Sequence, residues 1–346
     1  MFKNKILQTN KQTNKQTNKQ TNKQTNKERF VKIQVVRALA IIAVVMIHTA
    51  PVGIIQVLIR PFINFAVATF LFLSGYLTKF SVAENIKQMY SKRIMRVIIP
   101  YLIWSILYCV IYHKIDKLLL NIFTAQANGA MYYIFVYVQF VLLTPALIRL
   151  AQSTKMRWLG WIVAPVSIVI VKYIPALIGY QVSPFISLVW GFSCLGWFVF
   201  YYLGLLLGND LIDLQINLKI LVLIYVLSLL IQMVEGYAWF LMGDVNCGSQ
   251  LKLSSLISSI LFILIVYRYL KDNKYHAYRI FLGIGDASFG IYLSHMMFII
   301  VLSHISLYNR LPFILNSALI LLSSYVCVLI GRKVCGERIC RWFGFK

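Results

Sequence analysis

Long apolar runs separated by short polar segments make up most of the chain after residue 30. Many of these runs approach the roughly 20 residues that an α-helix needs to cross a bilayer. The run near 158–177 contains Pro165 and Pro175, which predicts a kinked or short helix. A further apolar stretch, Tyr237–Met242, is a candidate segment that dips into the membrane. Together the runs predict an all-α, polytopic transmembrane bundle of about ten helices, near 33–50, 58–78, 94–112, 131–150, 158–177, 186–207, 218–234, 253–270, 281–303 and 311–331.

Composition supports a membrane protein, since 60% of the residues are hydrophobic and only 13% are charged. The net charge of +24 raises the question of nucleic acid, but the positions of the basic residues argue against that partner. If the N-terminus is cytoplasmic, most of the 34 Lys and Arg residues fall in cytoplasmic segments. The opposite side carries Arg60, Lys114, Lys117, Lys172, Lys252 and Arg310. The charge therefore predicts a topology with both termini in the cytoplasm.

The N-terminal segment is a low-complexity repeat in which residues 9–27 read TNKQ over and over. Such a polar composition predicts a disordered, basic cytoplasmic tail over residues 1–29. The codons ACA-AAC-AAA-CAA would encode this repeat as the four-base unit ACAA. A tract of that kind slips during replication, so we hypothesise phase-variable expression, which the coding DNA would test. Residues 30–334 then form the membrane domain, and 335–346 a short basic cytoplasmic tail.

Two ionisable residues in the first apolar run, Arg37 and His48, are the leading candidates for chemistry. Their spacing returns the helix to within roughly 20° and separates the side chains by about 16 Å, so both project from one face. Ionisable groups at membrane depth are costly and usually mark a pathway or a reaction site. Alternatively, Arg37 snorkels to the interface and His48 is a buried structural histidine. A second intramembrane histidine, His295, favours the functional interpretation.

Two further patches are weaker candidates. Arg93 and Arg96 share one face at the predicted start of the third helix, where they suit a phosphate group or simply anchor the helix to lipid phosphates. Ser74 and Gly75 allow either a close helix contact or room for a ligand.

The six cysteines are expected to be packing or surface thiols. Cys335 and Cys340 are too isolated to form a zinc site, which needs four ligands close together. No metal is expected.

Taken together, these patches resemble the acyltransferase-3 family of bacterial integral-membrane O-acyltransferases. The family motif in the first helix is an Arg, ten residues and a His, which Arg37 and His48 match. Three later motifs match at 70–76, at 93–101 and at 288–295, so the resemblance spans about residues 30–331. One departure is Gln34, since family members often carry an Asp there, and this puts a pairing of that position with Arg37 in doubt.

The resemblance implies a donor, acyl-CoA and most simply acetyl-CoA, that enters from the cytoplasm. Its phosphates would contact Arg93, Arg96 and Arg37, and its pantetheine arm would pass Ser74, Gly75 and Tyr76 towards His48. The same resemblance makes His48 either the general base or the site of a covalent acyl-histidine. His295 would orient the acceptor or aid proton transfer.

The expected acceptor is a hydroxyl of a cell-envelope glycan, such as lipopolysaccharide, capsule, exopolysaccharide or a lipid-linked sugar. This reaction would take place in the bacterial inner membrane. Trp190 and Trp239 are candidates to stack on sugar rings, although core packing and interfacial belts explain them equally well. The alternative functions are a transporter or flippase of glycan intermediates, or a membrane protein that binds without turnover. The oligomeric state is left open.

Overall fold

The computed structural model describes residues 30–271 and 280–346, so the repeat tail lies outside the described residues. Every regular element in these ranges is helical. In chain order the main helices are α1 (Phe30–Thr49), α2 (Ile54–Tyr76), α3 (Ile86–Ile111), α4 (Tyr132–Gln152), α5 (Val163–Leu177), α6 (Pro184–Gly191), α7 (Leu195–Gly208), α8 (Leu218–Leu241), α9 (Leu253–Lys271), α10 (Ser288–Ser303), α11 (Phe313–Val334) and α12 (Glu337–Trp342).

The prediction of an all-α polytopic membrane bundle is confirmed. Among the described residues, seven helices are long and apolar enough to cross a membrane: α1 to α4, α8, α9 and α11. The pair α6 and α7 forms one more candidate span that is bent by 42°. Helices α5 and α10 are apolar but shorter. The two prolines of α5 accompany a π-helical stretch at Val169–Tyr173, in keeping with the predicted irregularity.

Two predicted boundaries are wrong. Helix α3 begins at Ile86 rather than near 94, because the Asn85 side chain accepts a hydrogen bond from the Gln88 N–H (3.2 Å) and caps the helix before its apolar part begins. The stretch Tyr237–Leu241 is the last part of α8 and not a separate segment that dips into the membrane. Hydropathy alone locates the apolar part of a helix, whereas capping sets its ends.

Helices α1 and α2 lie at the centre of the bundle. In each, 61% of the most apolar window is buried, compared with 22% in α8 and in α11. The exposed face of α8 is apolar, as Leu223 and Ile231 show. Such a face suits contact with lipid tails. The central position of α1 therefore surrounds Arg37 and His48 with other helices.

Three glycines hold α2 against α7. A Cβ built on Gly75 would overlap the carbonyl oxygen of Tyr201 and would lie 2.9 Å from the Leu205 nitrogen. In the reverse direction, a Cβ on Gly204 would meet the Phe72 backbone, and one on Gly208 would meet the Tyr76 backbone. Small residues permit this backbone-to-backbone approach in membrane helices. The contact fixes the end of α2 that carries Ser74.

Candidate active site

His48 and His295 lie side by side in the middle of the bundle. Their ring centroids are 5.2 Å apart, and the rings are tilted by 52°. His48 is near the end of α1, where the next residue, Thr49, hydrogen bonds to Ser317 of α11 (2.7 Å between hydroxyl oxygens). His295 is on α10 and is fully buried. Two residues more than 240 positions apart in the chain therefore form one pair.

Hydrogen bonding defines the tautomer of His295. Its Nδ1 lies 2.6 Å from the carbonyl oxygen of Tyr292. A carbonyl oxygen only accepts, so Nδ1 carries the proton and Nε2 has a lone pair. Within the described part of the chain, Nε2 has no hydrogen-bond partner. His295 thus presents a buried acceptor atom beside His48.

Aromatic hydroxyls hold α10 in place around this histidine. Tyr108 of α3 donates to the Leu293 carbonyl (2.7 Å) and accepts from the Met297 N–H (3.2 Å). The Tyr292 hydroxyl donates to the Ala130 carbonyl. Because these bonds lie on both sides of His295 along the chain, they hold the α10 backbone that carries it.

A cavity of about 740 Å³ leads from His48 towards the start of α1, and we call it the Arg37 cavity. His48 and Arg37 both line it, as the helical spacing in the sequence predicts for two residues on one face. Its wall also includes Ser74, Tyr133 and Arg96. Apolar side chains such as Phe70 and Leu73 line much of its length, and Arg37 and Arg96 make the end that lies away from His48 basic.

A carboxylate from another part of the chain lies near Arg37. Asp286 lies within electrostatic range of Arg37 and lines the same cavity. Its carboxylate pairs with Arg332 of α11 (2.6 Å). Gln34 lies three residues before Arg37, and its side-chain oxygen is buried without a partner in the described structure. Asp286 thus supplies the negative charge that Gln34 does not.

Arg93 and Arg96 do not lie at a helix N-terminus, because α3 begins at Ile86. The predicted position of this pair at the start of the third helix is therefore wrong. Arg96 lines the Arg37 cavity. Arg93 is not among the described residues of that wall, and its Nη1 donates to the Thr78 hydroxyl (2.7 Å). Only one of the two arginines is thus placed on the cavity itself.

Of the three predicted site residues at the end of α2, Ser74, Gly75 and Tyr76, only one lines the Arg37 cavity. Ser74 lines the Arg37 cavity and donates a hydrogen bond to the Phe70 carbonyl (2.9 Å). Gly75 faces the α7 backbone, and Tyr76 is buried with its ring against Phe72. The structure therefore brings Ser74 to the cavity and places Gly75 and Tyr76 in the packing between helices.

A second cavity, of about 940 Å³, begins on the other side of His48, and we call it the Trp239 cavity. His48 lines both cavities. The wall of the Trp239 cavity combines aromatic and polar groups, among them Trp190, Trp239 and Arg60. The Arg60 guanidinium donates to the carbonyl oxygens of Ile47 and Gly248 (3.1 Å each), which ties α2 to the end of α1. His48 thus stands where the two cavities approach each other.

Sequence reasoning missed a polar network behind Trp239. The Glu235 carboxylate accepts hydrogen bonds from the Trp239 indole (3.1 Å), the Ser254 N–H (3.0 Å) and the Tyr173 hydroxyl. Lys172 lies 4.4 Å from the Trp239 ring centroid and pairs with Asp244 (2.7 Å). A lone Glu within the apolar sequence of α8 was the signal that could have revealed this network.

Lys252 lies next to the network, one residue before α9 begins. It is 1% exposed, and its ammonium group donates to the Cys247 carbonyl (2.7 Å). Burial lowers the pKa of Lys252 to about 8, although the nearby Glu235 carboxylate opposes this shift. No group of three or more His, Cys, Asp or Glu side chains within the described ranges is arranged to hold a metal ion.

Comparison with models of known protein families identifies the family of this chain. The acyltransferase-3 family, described as an acyltransferase domain, matches residues 30–332. The comparisons with curated proteins and with solved structures gave no match. The matched region contains Arg37, Ser74, Arg96, His48 and His295. Because it covers nearly the whole chain, the protein belongs to the acyltransferase-3 family and is a multi-pass membrane acyltransferase.

Proposed function

We propose that the protein transfers an acetyl group from cytoplasmic acetyl-CoA to a hydroxyl of a cell-envelope glycan. The observation that carries the proposal is the position of His48 on the walls of both cavities. A donor in one cavity and an acceptor in the other would meet at this side chain. The distribution of Lys and Arg supports an orientation in the bacterial inner membrane with both termini, and the Arg37 cavity, on the cytoplasmic side.

The donor suits the Arg37 cavity for two reasons. Arg37 and Arg96 offer guanidinium groups that bind phosphate oxygens through charge-assisted hydrogen bonds. The distance of about 16 Å from Arg37 to His48 along α1 is one that an extended pantetheine arm can bridge. The arm would pass Ser74 and Tyr133, and the thioester would lie beside His48.

An acceptor sugar suits the Trp239 cavity. Aromatic rings such as Trp190 and Trp239 stack on the apolar faces of sugars, while Asp244 and Asn246 offer groups that bind hydroxyls. Lys172 covers part of the Trp239 ring, and Glu235 holds its indole N–H. The acceptor hydroxyl would then approach His48 from the side opposite the donor.

His48 would act as the general base. In this scheme one His48 nitrogen turns to donate to Nε2 of His295, which has no hydrogen-bond partner in the described structure, and the other nitrogen keeps a lone pair for the acceptor proton. The acceptor oxygen forms a bond to the thioester carbon, the carbon–sulfur bond breaks, and the proton held by His48 passes to the departing CoA sulfur. His295 is a positioning residue in this scheme. The alternative in which His48 carries the acetyl group would show as an acetylated His48 in the isolated protein.

Mass spectrometry of envelope glycans tests the proposal in cells that carry the wild-type gene, a deletion, His48→Ala or His304→Ala. His304 is an exposed histidine at the end of α10 and serves as the matched control. Loss of a general base lowers the rate by about 10²- to 10⁴-fold. We expect the acetyl mass increment with the wild type and His304→Ala, and its loss with the deletion and His48→Ala at equal protein level.

Two results would contradict the proposal. Normal acetylation by His48→Ala would remove His48 from the mechanism. Equal glycan masses in all four strains, with altered glycan export in the deletion, would favour a transporter or flippase.

A further inference from the structure

The segment that follows α11 folds back against the bundle. After Val334 the chain turns, forms α12 and continues through Phe343 to Lys346. The family match ends at residue 332, and the sequence alone predicts a short basic tail here. Six residues of this segment nevertheless line the Arg37 cavity: Cys335, Glu337, Cys340, Gly344, Phe345 and Lys346.

Two hydrogen bonds and one buried aromatic side chain hold residues 335–346 against the bundle. The Trp104 indole of α3 donates to the Phe343 carbonyl (3.1 Å), and the Arg332 Nε donates to the Phe345 carbonyl (2.5 Å). Phe345 is only 7% exposed. Its ring lies against Gly331 and Gly290, where an added Cβ would crowd the ring. The absence of side chains at these two glycines therefore leaves room for Phe345.

The segment also places charge at the cavity. Lys346 pairs with Glu337 (2.5 Å), and the Lys346 ammonium holds the pKa of Glu337 below its ordinary value. Arg332 pairs with Asp286 (2.6 Å). Both pairs line the same cavity as Arg37 and Arg96. A phosphate that enters this end meets four basic side chains, two of which are held in position by carboxylates.

We propose that residues 335–346 form the wall that binds the phosphate-bearing nucleotide end of the acyl donor, with Lys346 as a direct phosphate contact. The inference rests on the proposed function, in which the thioester lies at His48. The opposite end of CoA, which carries its phosphates, then lies at the end of the cavity where this segment packs. Lys346 contributes a charged donor, and the buried Phe345 keeps the segment in contact with the cavity.

Binding to the purified full-length protein tests the inference. Acetyl-CoA and S-acetylpantetheine, which lacks the nucleotide and its phosphates, would be titrated into the wild type, Lys346→Gln, Lys346→Arg and Phe345→Ala. Lys333→Gln is the matched control, since Lys333 is exposed and is not among the described residues of the cavity wall. We expect Lys346→Gln to weaken acetyl-CoA binding about tenfold, as the loss of one charge-assisted bond implies.

The other variants and the second ligand distinguish phosphate binding from a structural effect. Lys346→Arg should retain most of the affinity, Phe345→Ala should weaken it at least as much as Lys346→Gln, and Lys333→Gln should leave it unchanged. S-acetylpantetheine should bind all five proteins equally, provided that their melting temperatures agree. If the wild type binds acetyl-CoA and the Lys346 and Phe345 variants bind it equally well, the inference is wrong and the proposed function stands. If the wild type does not bind acetyl-CoA, the proposed donor is wrong.

Discussion

The substitution Gly75→Ala tests whether Gly75 belongs to the helix contact or to the donor path. The added Cβ would lie 2.9 Å from the Leu205 nitrogen and 3.0 Å from the Tyr201 carbonyl carbon, whereas ordinary contacts begin at 3.4 Å. The Tyr201 carbonyl oxygen is closer still. These are backbone atoms, which no change of rotamer can move aside, so α2 and α7 must separate. Overpacking of this kind costs typically 1–3 kcal/mol, and the backbone overlap places the expected loss near the upper end, about 3 kcal/mol.

Thermal unfolding of the detergent-purified protein would measure this loss. About 3 kcal/mol corresponds to a fall in Tm of roughly 4 °C for a chain of 346 residues. Gly191→Ala is the control, because a Cβ on Gly191 meets nothing within 4 Å. The KM for acetyl-CoA should stay unchanged in the folded fraction of both variants. A Gly75→Ala protein with the Tm of the control but a raised KM would refute the packing argument and place Gly75 on the donor path.

Three other substitutions probe the far side of His48 and its surroundings. Glu235→Gln weakens the acceptor of the Trp239 indole N–H, so under the proposed function we expect the KM for the glycan acceptor to rise several-fold in steady-state assays while the KM for acetyl-CoA stays constant. Ser317→Ala removes the partner of the Thr49 hydroxyl and should lower the free energy of unfolding by about 0.6 kcal/mol, measured as a small fall in Tm. The folded-state pKa of Lys252 is about 8, below its unfolded value of about 10.5, so the unfolded chain binds the extra proton between these pH values and stability rises with pH there. In Tm measurements from pH 7.5 to pH 9.5, Lys252→Met should lack this rise, and a parallel rise in both proteins would contradict the assignment.

Local periodicity was sufficient to predict the bundle and one face of the site. Arg37 and His48 line one cavity because about three helical turns separate them, which puts both side chains on one face of α1. This spacing can be read from the sequence alone. The apolar runs likewise located the main helices. The start of α3 was missed because the residues before Arg93 are polar, and hydropathy does not detect a helix that continues beyond the membrane.

The remaining parts of the site depend on contacts between distant segments. No local pattern states that His295 lies 5.2 Å from His48, or that Asp286 lies near Arg37. The packing of Phe345 against Gly290 and Gly331 is equally non-local, so the sequence predicts a short basic segment at 335–346 but not its contacts with the bundle. Side chains that meet only after the helices pack cannot be paired from spacing along one helix.

The meeting of two cavities at one histidine has a consequence for what crosses the membrane. CoA carries several phosphate charges, and moving such charges through the hydrocarbon region is strongly unfavourable. Under the proposed function the phosphates stay with Arg37, Arg96 and the C-terminal segment, and the neutral arm alone extends to His48. The glycan likewise stays on the side of Trp239. Only an acetyl group then passes from one side to the other. The paired histidines only have to transfer one proton, from the acceptor hydroxyl to the CoA sulfur.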